Sequence, residues 1–368
     1  LLDTVEVLTT YHTKPMAPEL RPSQAFCATA LARLHGRAHP EAGRCMDLFA
    51  DELRGKGGLV RYHEDLARAA ALALGQLCPP FAGGADAQQA AGKCSQLLFD
   101  TYQQHADEQT RYFAVLALGQ IGGAENRRVL LRAFDDAEGN ARDWIALALG
   151  ILSRESYELQ QRSGGAIEPD REIGKLLHEA LGREAHSGRA AAYAVALGLN
   201  GCREAADDLR RRMVAALQHK STLAEHLLSA SALLDDSMAV DALLEVVAKS
   251  KRGRMLLGEA LPALSRLGSR AVAERILGLL GGEELEASMV ATALGVIGDQ
   301  CAVKSLVGIV VDAKQSRRLR GAAVHALGSL AEAGRRVLPW NWELIANIDY
   351  RAAPGTLMDN STGVVDWW

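Results

Sequence analysis

The residue types best suited to chemistry in this 368-residue chain are two His-Glu pairs, His63-Glu64 and His178-Glu179. Imidazole and carboxylate are ligands for transition metals. Six cysteines, Cys27, Cys45, Cys78, Cys94, Cys202 and Cys301, are spaced irregularly and form no CxxC pair. That spacing gives no support to zinc or iron–sulfur binding and predicts buried free thiols, with disulfide pairing left open. No GxSxG, P-loop, GxGxxG or HExxH pattern occurs.

Basic runs are the second candidate: Arg210-Arg211-Arg212, KSKRGR over 249–254, and Arg317-Arg318 with Arg320. Each lies near carboxylates such as Asp207 and Asp208 or at a helix end, and phosphate binding would need them aligned on one face. The net charge of −4 provides no overall field toward nucleic acid or anionic lipid. Asp143-Trp144 is the one Asp-Trp pair inside a repeat, and Trp144 reads as a core filler. No run of eighteen apolar residues is present, so no transmembrane helix is expected.

The elements that would position these residues follow from one recurring phrase. Ala-Leu-Gly with an apolar stripe before it appears as ALALGQLC, VLALGQIGG, ALALGILS, AVALGLNG, TALGVIGD and HALGSLAE. Weaker copies put Ala32, Leu234 and Ser265 at the glycine position. The anchors are 32, 75, 119, 150, 198, 234, 265, 295 and 328, and the shorter intervals cluster near 31. Apolar residues are 48 % of the chain and aromatics only 5 %, so the core is built from Ala, Leu, Val and Ile, which suits closely packed helices.

In residues 285–313, Leu285, Met289, Val290, Ala293, Leu294 and Ile297 share one helical face. Gly298 can end that helix in the left-handed conformation, and Asp299 can cap the next. Val303, Leu306, Val307 and Val310 then line one face of a second helix. The anchor glycine sits where a missing side chain admits a neighbouring helix. Leu234 does not fit that role and predicts local repacking, and Pro262 predicts a kink or a late helix start.

The same reading places helix pairs at 23–35 with 40–54, 62–78 with 87–105, 107–121 with 124–135, and 140–153 with 170–184. Further pairs follow at 187–199 with 203–219, 221–235 with 237–249, and 254–267 with 270–280, and a ninth begins near 316. Residues 154–170 read as a polar insertion, and 1–22 as an extended arm.

This pattern resembles the HEAT family, and within it the HEAT-like repeats of phycobilisome lyases, over roughly residues 23–335. The resemblance implies an all-α fold, a right-handed α-solenoid of about nine HEAT-like helical hairpins. Arrays of this family usually serve as scaffolds or adaptors for proteins. A minority are enzymes: deoxyhypusine hydroxylases with His-Glu pairs in successive repeats, DNA glycosylases with a basic groove, and bilin lyases. Here His63-Glu64 falls on a first helix and His178-Glu179 on a second, so the pairs are not equivalent and read as solvated surface residues. No pigment-specific residue set is present.

Beyond Gly334 the pattern stops. Residues 336–368 hold four of the five tryptophans and read as an aromatic-rich C-terminal cap or tail. Trp340 and Trp342 with Leu344 and Ile345 can cover the last repeat, and the ending GVVDWW resembles those of some bacterial HEAT-repeat proteins. The expected function is a non-catalytic scaffold or adaptor, with a protein partner held on a concave face of second helices, the 154–170 insertion and the tail. Trp340, Trp342, Tyr350, Trp367, Trp368 and Tyr157 are the candidate partner-binding residues. No catalytic residue, metal or cofactor is expected, nucleic acid is not favoured, and the groove-based enzyme or nucleic-acid binder is the rival. The chain begins at Leu1 without an initiator Met, as processing of an exported chain or an incomplete sequence would leave it, and the compartment stays open.

Overall fold

Segments such as LARAAALALGQL and YFAVLALGQI are apolar on every side, which only a helix surrounded by other helices can satisfy. The computed structural model describes residues 27–28, 31–32, 42–55, 64–78, 85–162, 168–219, 223–234, 236, 238–242, 261 and 270–333. They include fourteen α-helices whose bounds are described and, among the described residues, no strand. These are α1 (Ala42–Leu53), α2 (Glu64–Leu77), α3 (Ala85–Gln104), α4 (Glu108–Ile121), α5 (Ala124–Asp136), α6 (Asn140–Arg162) and α7 (Arg171–Arg183). They continue as α8 (Ser187–Asn200), α9 (Ala206–His219), α10 (Leu223–Leu233), α11 (Arg270–Leu277), α12 (Glu284–Ile297), α13 (Val303–Val311) and α14 (Arg317–Ala333). The described residues divide into two compact units, one ending at Asn200 and one beginning at Gly201.

In the first unit α2, α4, α6 and α8 form a row in which each packs on the next. The helices α1, α3, α5 and α7 flank that row, each against its partner in it. The two layers differ as their sequences require. α2 is buried from Leu66 to Leu77 and α4 from Tyr112 to Ile121. α5 buries only Asn126, Leu130 and Phe134, and α7 only Ile173, Gly174, Leu177 and Leu181, a single stripe each. Trp144 is fully buried, stacked on Tyr112 with ring centroids 5.5 Å apart and meeting Phe113 edge-on at 5.6 Å. It fills the core between α4 and α6, as its sequence context suggested. Burying a side chain of this class contributes about 1.5–3 kcal/mol.

The row is tight because of the anchor glycines. A Cβ added at Gly75 would lie 2.8 Å from the Cα of Ala117, and one at Gly150 2.8 Å from the Cα of Ala196. At Gly119 it would lie 2.5 Å from the carbonyl oxygen of Ala148. In each case the alanine stands two residues before the next anchor. The phrase Ala-Leu-Gly therefore carries both halves of one contact: its glycine receives the following helix, and its alanine is received by the preceding one.

In the second unit α9 packs on α10, α11 and α14 both pack on α12, and α13 packs on α14. The same contact recurs: a Cβ added at Gly295 would lie 2.6 Å from the Cα of Ala326. Gly298 ends α12 in the left-handed conformation at φ 78°, and the Asp299 carboxylate accepts from the Cys301 backbone N–H, opening the 3₁₀ turn that leads into α13.

Four expectations need correction. α6 does not stop at Ser153 but runs on to Arg162, because SRESYELQQR holds good helix formers and no glycine or proline; half of the supposed polar insertion is helix. Leu234 lies past the end of α10, buried in a turn, rather than at a helix-interior anchor. In α12, Leu285 of the proposed apolar face is exposed. In α13 only Leu306 is buried, while Val303 and Val307 of its proposed inner face are open to solvent. Residues 1–22, Pro262, Ser265 and everything after Ala333 lie outside the described residues.

Candidate functional site

Polar side chains first build the joints between repeats. Asp107 caps α4 by accepting from the Thr110 backbone N–H at 2.8 Å, and the same carboxylate takes two bonds from Arg68 on α2, at 2.9 and 2.8 Å. Asp170 repeats the device one layer over. It caps α7 through the Ile173 N–H at 3.1 Å and receives Arg127 of α5 at 2.6 and 3.0 Å. Burial pushes the Asp107 carboxyl up, but the bonds from Arg68 and Thr110 outweigh it and hold the group well below the usual carboxylate range. Asp170 is depressed in the same way, its burial outweighed by Arg127 and the Ile173 N–H. In the second unit Arg210 grips Asp236, at 2.7 and 2.9 Å, and Asp207, while Arg211 and Arg212 pair with Asp208. The Arg210–Arg212 run is thus neutralised on site. The run at 249–254 lies outside the described residues.

Two surfaces remain that structure alone does not explain. The first is a cleft of about 360 Å³ where the α5–α6 turn meets the α7–α8 turn. Leu176 and Ala180 form its apolar walls, Phe134 and Tyr193 lie buried behind them, and Arg142, Arg183, Arg189, Glu138, Glu179 and Glu184 make its charged rim. Arg189 pairs with Glu184 at 2.8 Å, and Arg183 with Glu179 at 3.6 Å. The Arg142 guanidinium lies 4.5 Å over the Phe134 ring. Next to it in sequence, Asp143 is buried with Oδ1 lacking a hydrogen-bond partner. Burial pushes its carboxyl up to about 7, offset in part by Arg189 and reinforced by Glu184.

The second surface is on α13 and α14. Val303, Val307 and Val311 stand four residues apart on α13 and are exposed, Val311 by 72 %. Val324 of α14 is 56 % exposed. Lys304, Lys314, Arg317 and Arg318 are exposed on the same two helices and the turn between them, and among the described residues they make no ion pair. Arg317 and Arg318 occupy the first turn of α14, where the helix dipole disfavours cations. They are not at a helix C-terminus, as a stabilising role would require.

No protein-family model matches the chain, and no curated protein matches it. Among solved structures, human deoxyhypusine hydroxylase in complex with glycerol is similar at 17 % identity over 90 % of this chain and 96 % of that chain, with a TM-score of 0.32. A likeness that loose carries no argument about fold or activity.

The sequence-predicted residues scatter. Tyr157 lies in α6, and Trp340, Trp342, Tyr350, Trp367 and Trp368 lie outside the described residues. His63 is also outside them; its neighbour Glu64 pairs with Arg68 at 3.1 Å. Glu179 is tied to Lys175 and Arg183. Among the described residues no group of three or more His, Cys, Asp or Glu side chains converges to hold a metal ion. Among the described residues no disulfide joins any of the six cysteines, five of which are buried. Among the described residues no helix is long and apolar enough to cross a membrane. Sequence reasoning missed the Arg-to-cap pairs and the cleft.

Proposed function

We propose that this chain is a HEAT-like helical-repeat scaffold or adaptor that binds a protein partner and performs no catalysis itself. The observation that carries the reading is the valine stripe of α13, Val303, Val307 and Val311, rimmed by Lys304, Lys314, Arg317 and Arg318. Large apolar side chains exposed together mark association surfaces. Six of the seven exposed large apolar residues among those described fall between Leu285 and Val324. The basic rim selects a partner with apolar residues flanked by carboxylates. Buried glycine–alanine stacking supports the repeat reading, since each hairpin hands the same contact to the next. The aromatic tail, with Trp340, Trp342, Tyr350, Trp367 and Trp368, and Tyr157 of α6 are proposed as further partner contacts, aromatic residues being enriched in binding hot spots.

The test compares affinity purification with wild type and with a Val307→Glu/Val311→Glu variant of equal helicity. The reading expects a protein recovered with wild type, lost with the variant, and bound directly when both components are pure. Identical recovery with both would overturn it.

One observation favours a groove-based enzyme or nucleic-acid binder as the second reading. Asp143, held near neutrality by burial, suits proton transfer. Against it, Asp143 is not among the residues lining the cleft, whose rim carries as many acids as bases.

A further inference from the structure

The cleft between the α5–α6 and α7–α8 turns belongs to the first unit and is not explained by the valine stripe. Its rim has three arginines and three glutamates, and two pairs satisfy each other: Arg189 with Glu184, and Arg183 with Glu179. That leaves Arg142 and Glu138. Neither makes an ion pair among the described residues, although both line the same cleft. The Arg142 Nε is enclosed and has no acceptor among the described residues. An enclosed N–H without an acceptor is costly, and more so on a charged group. The guanidinium carbon lies 4.5 Å over the Phe134 ring, a cation–π contact that holds the charged group at the cleft.

We infer that this cleft is a carboxylate-binding site, in which Arg142 receives the carboxylate and the half-buried Leu176 and Ala180 pack the aliphatic stem that carries it. The size fits. A space of about 360 Å³ holds roughly a dozen waters at their liquid volume, enough for one acidic side chain or a short dicarboxylic acid. A planar carboxylate matches the arginine fork. Glu138 on the rim opposes any anion and keeps binding modest.

Two sources can present this group, an acidic side chain of a peptide and a free dicarboxylic acid. Saturation-transfer NMR on the full chain separates them, with glutarate and acetyl-Ala-Glu-Ala-amide as probes and glutaramide and acetyl-Ala-Gln-Ala-amide as controls. Saturation of either acid and of neither amide is the expected result. Stronger binding of the peptide assigns a partner's side chain, and stronger binding of glutarate assigns a small acid. Arg142→Gln lowers affinity about ten-fold or more, the loss of one charge-assisted bond pair. Glu138→Gln, a change at an exposed residue that leaves the core untouched, raises affinity about two- to three-fold by removing a like charge. Absence of binding, equal binding of the amides, or affinities unchanged in a folded Arg142→Gln protein and in Glu138→Gln would overturn the assignment.

Discussion

Arg68 on α2 holds Asp107, the residue that caps α4, through paired bonds of 2.9 and 2.8 Å. One carboxylate therefore caps the start of one helix and ties it to the preceding helix of the same row. Both side chains are about nine-tenths buried, at 9 and 11 % exposure. Asp107→Asn leaves a buried guanidinium underpaired and is expected to cost about 3 kcal/mol at pH 7. Because the folded carboxyl is depressed, its stabilisation is present above the unfolded value of about 4 and is lost as pH falls through the folded one. Urea melts at pH 7 and at successively lower pH should show the gap between wild type and variant narrowing below that value. A gap independent of pH would contradict the pairing.

The anchor glycines predict a change of sign between two copies of one motif. Gly119→Ala drives a methyl group into the Ala148 carbonyl and is expected to cost about 1–3 kcal/mol. Gly328 is exposed, and among the described residues no atom lies within 4 Å of the Cβ it would gain. Gly328→Ala is therefore expected to stabilise by about 0.5–1 kcal/mol, the ordinary helix gain. Thermal melts of the two single variants check this. Destabilisation by both would mean that the second site is covered.

Asp143 predicts a stability difference of opposite pH dependence. Its folded carboxyl is raised, chiefly by burial, to about 7. The stability that a neutral acid brings is complete below the unfolded value and is lost as pH rises through about 7. Asparagine stays neutral throughout. Asp143→Asn should thus match wild type near pH 4 and exceed it at pH 8 by on the order of 2 kcal/mol. Denaturation curves at the two pH values test it, and equal stability of the two proteins at pH 8 would refute it.

Most helices were legible because their signals are local. Gly298 and Asp299 sit where a stop and a cap belong, and Ala-Leu-Gly marks each buried helix. The end of α6 is not legible from composition, since a polar stretch with no breaker before Gly164 suits an exposed helix as well as a loop. The exposure of Val307 was missed for a different reason. Periodicity finds an apolar face but not whether anything covers it. The Arg68–Asp107 and Arg127–Asp170 pairs span 39 and 43 residues, beyond any local pattern. The one signal was an aspartate followed by glutamate or arginine at a helix start, as in DEQT and DREI. Arg142 gave no hint, since its importance lies in an acceptor that is missing.

Association through the valine stripe is tested most directly by a binding isotherm. The purified partner recovered with wild type is titrated against wild type and against Val307→Glu/Val311→Glu, with circular dichroism confirming equal helicity. Placing two carboxylates where apolar groups dock beside a basic rim is expected to weaken binding at least about ten-fold. Equal affinity for the two proteins would contradict the account.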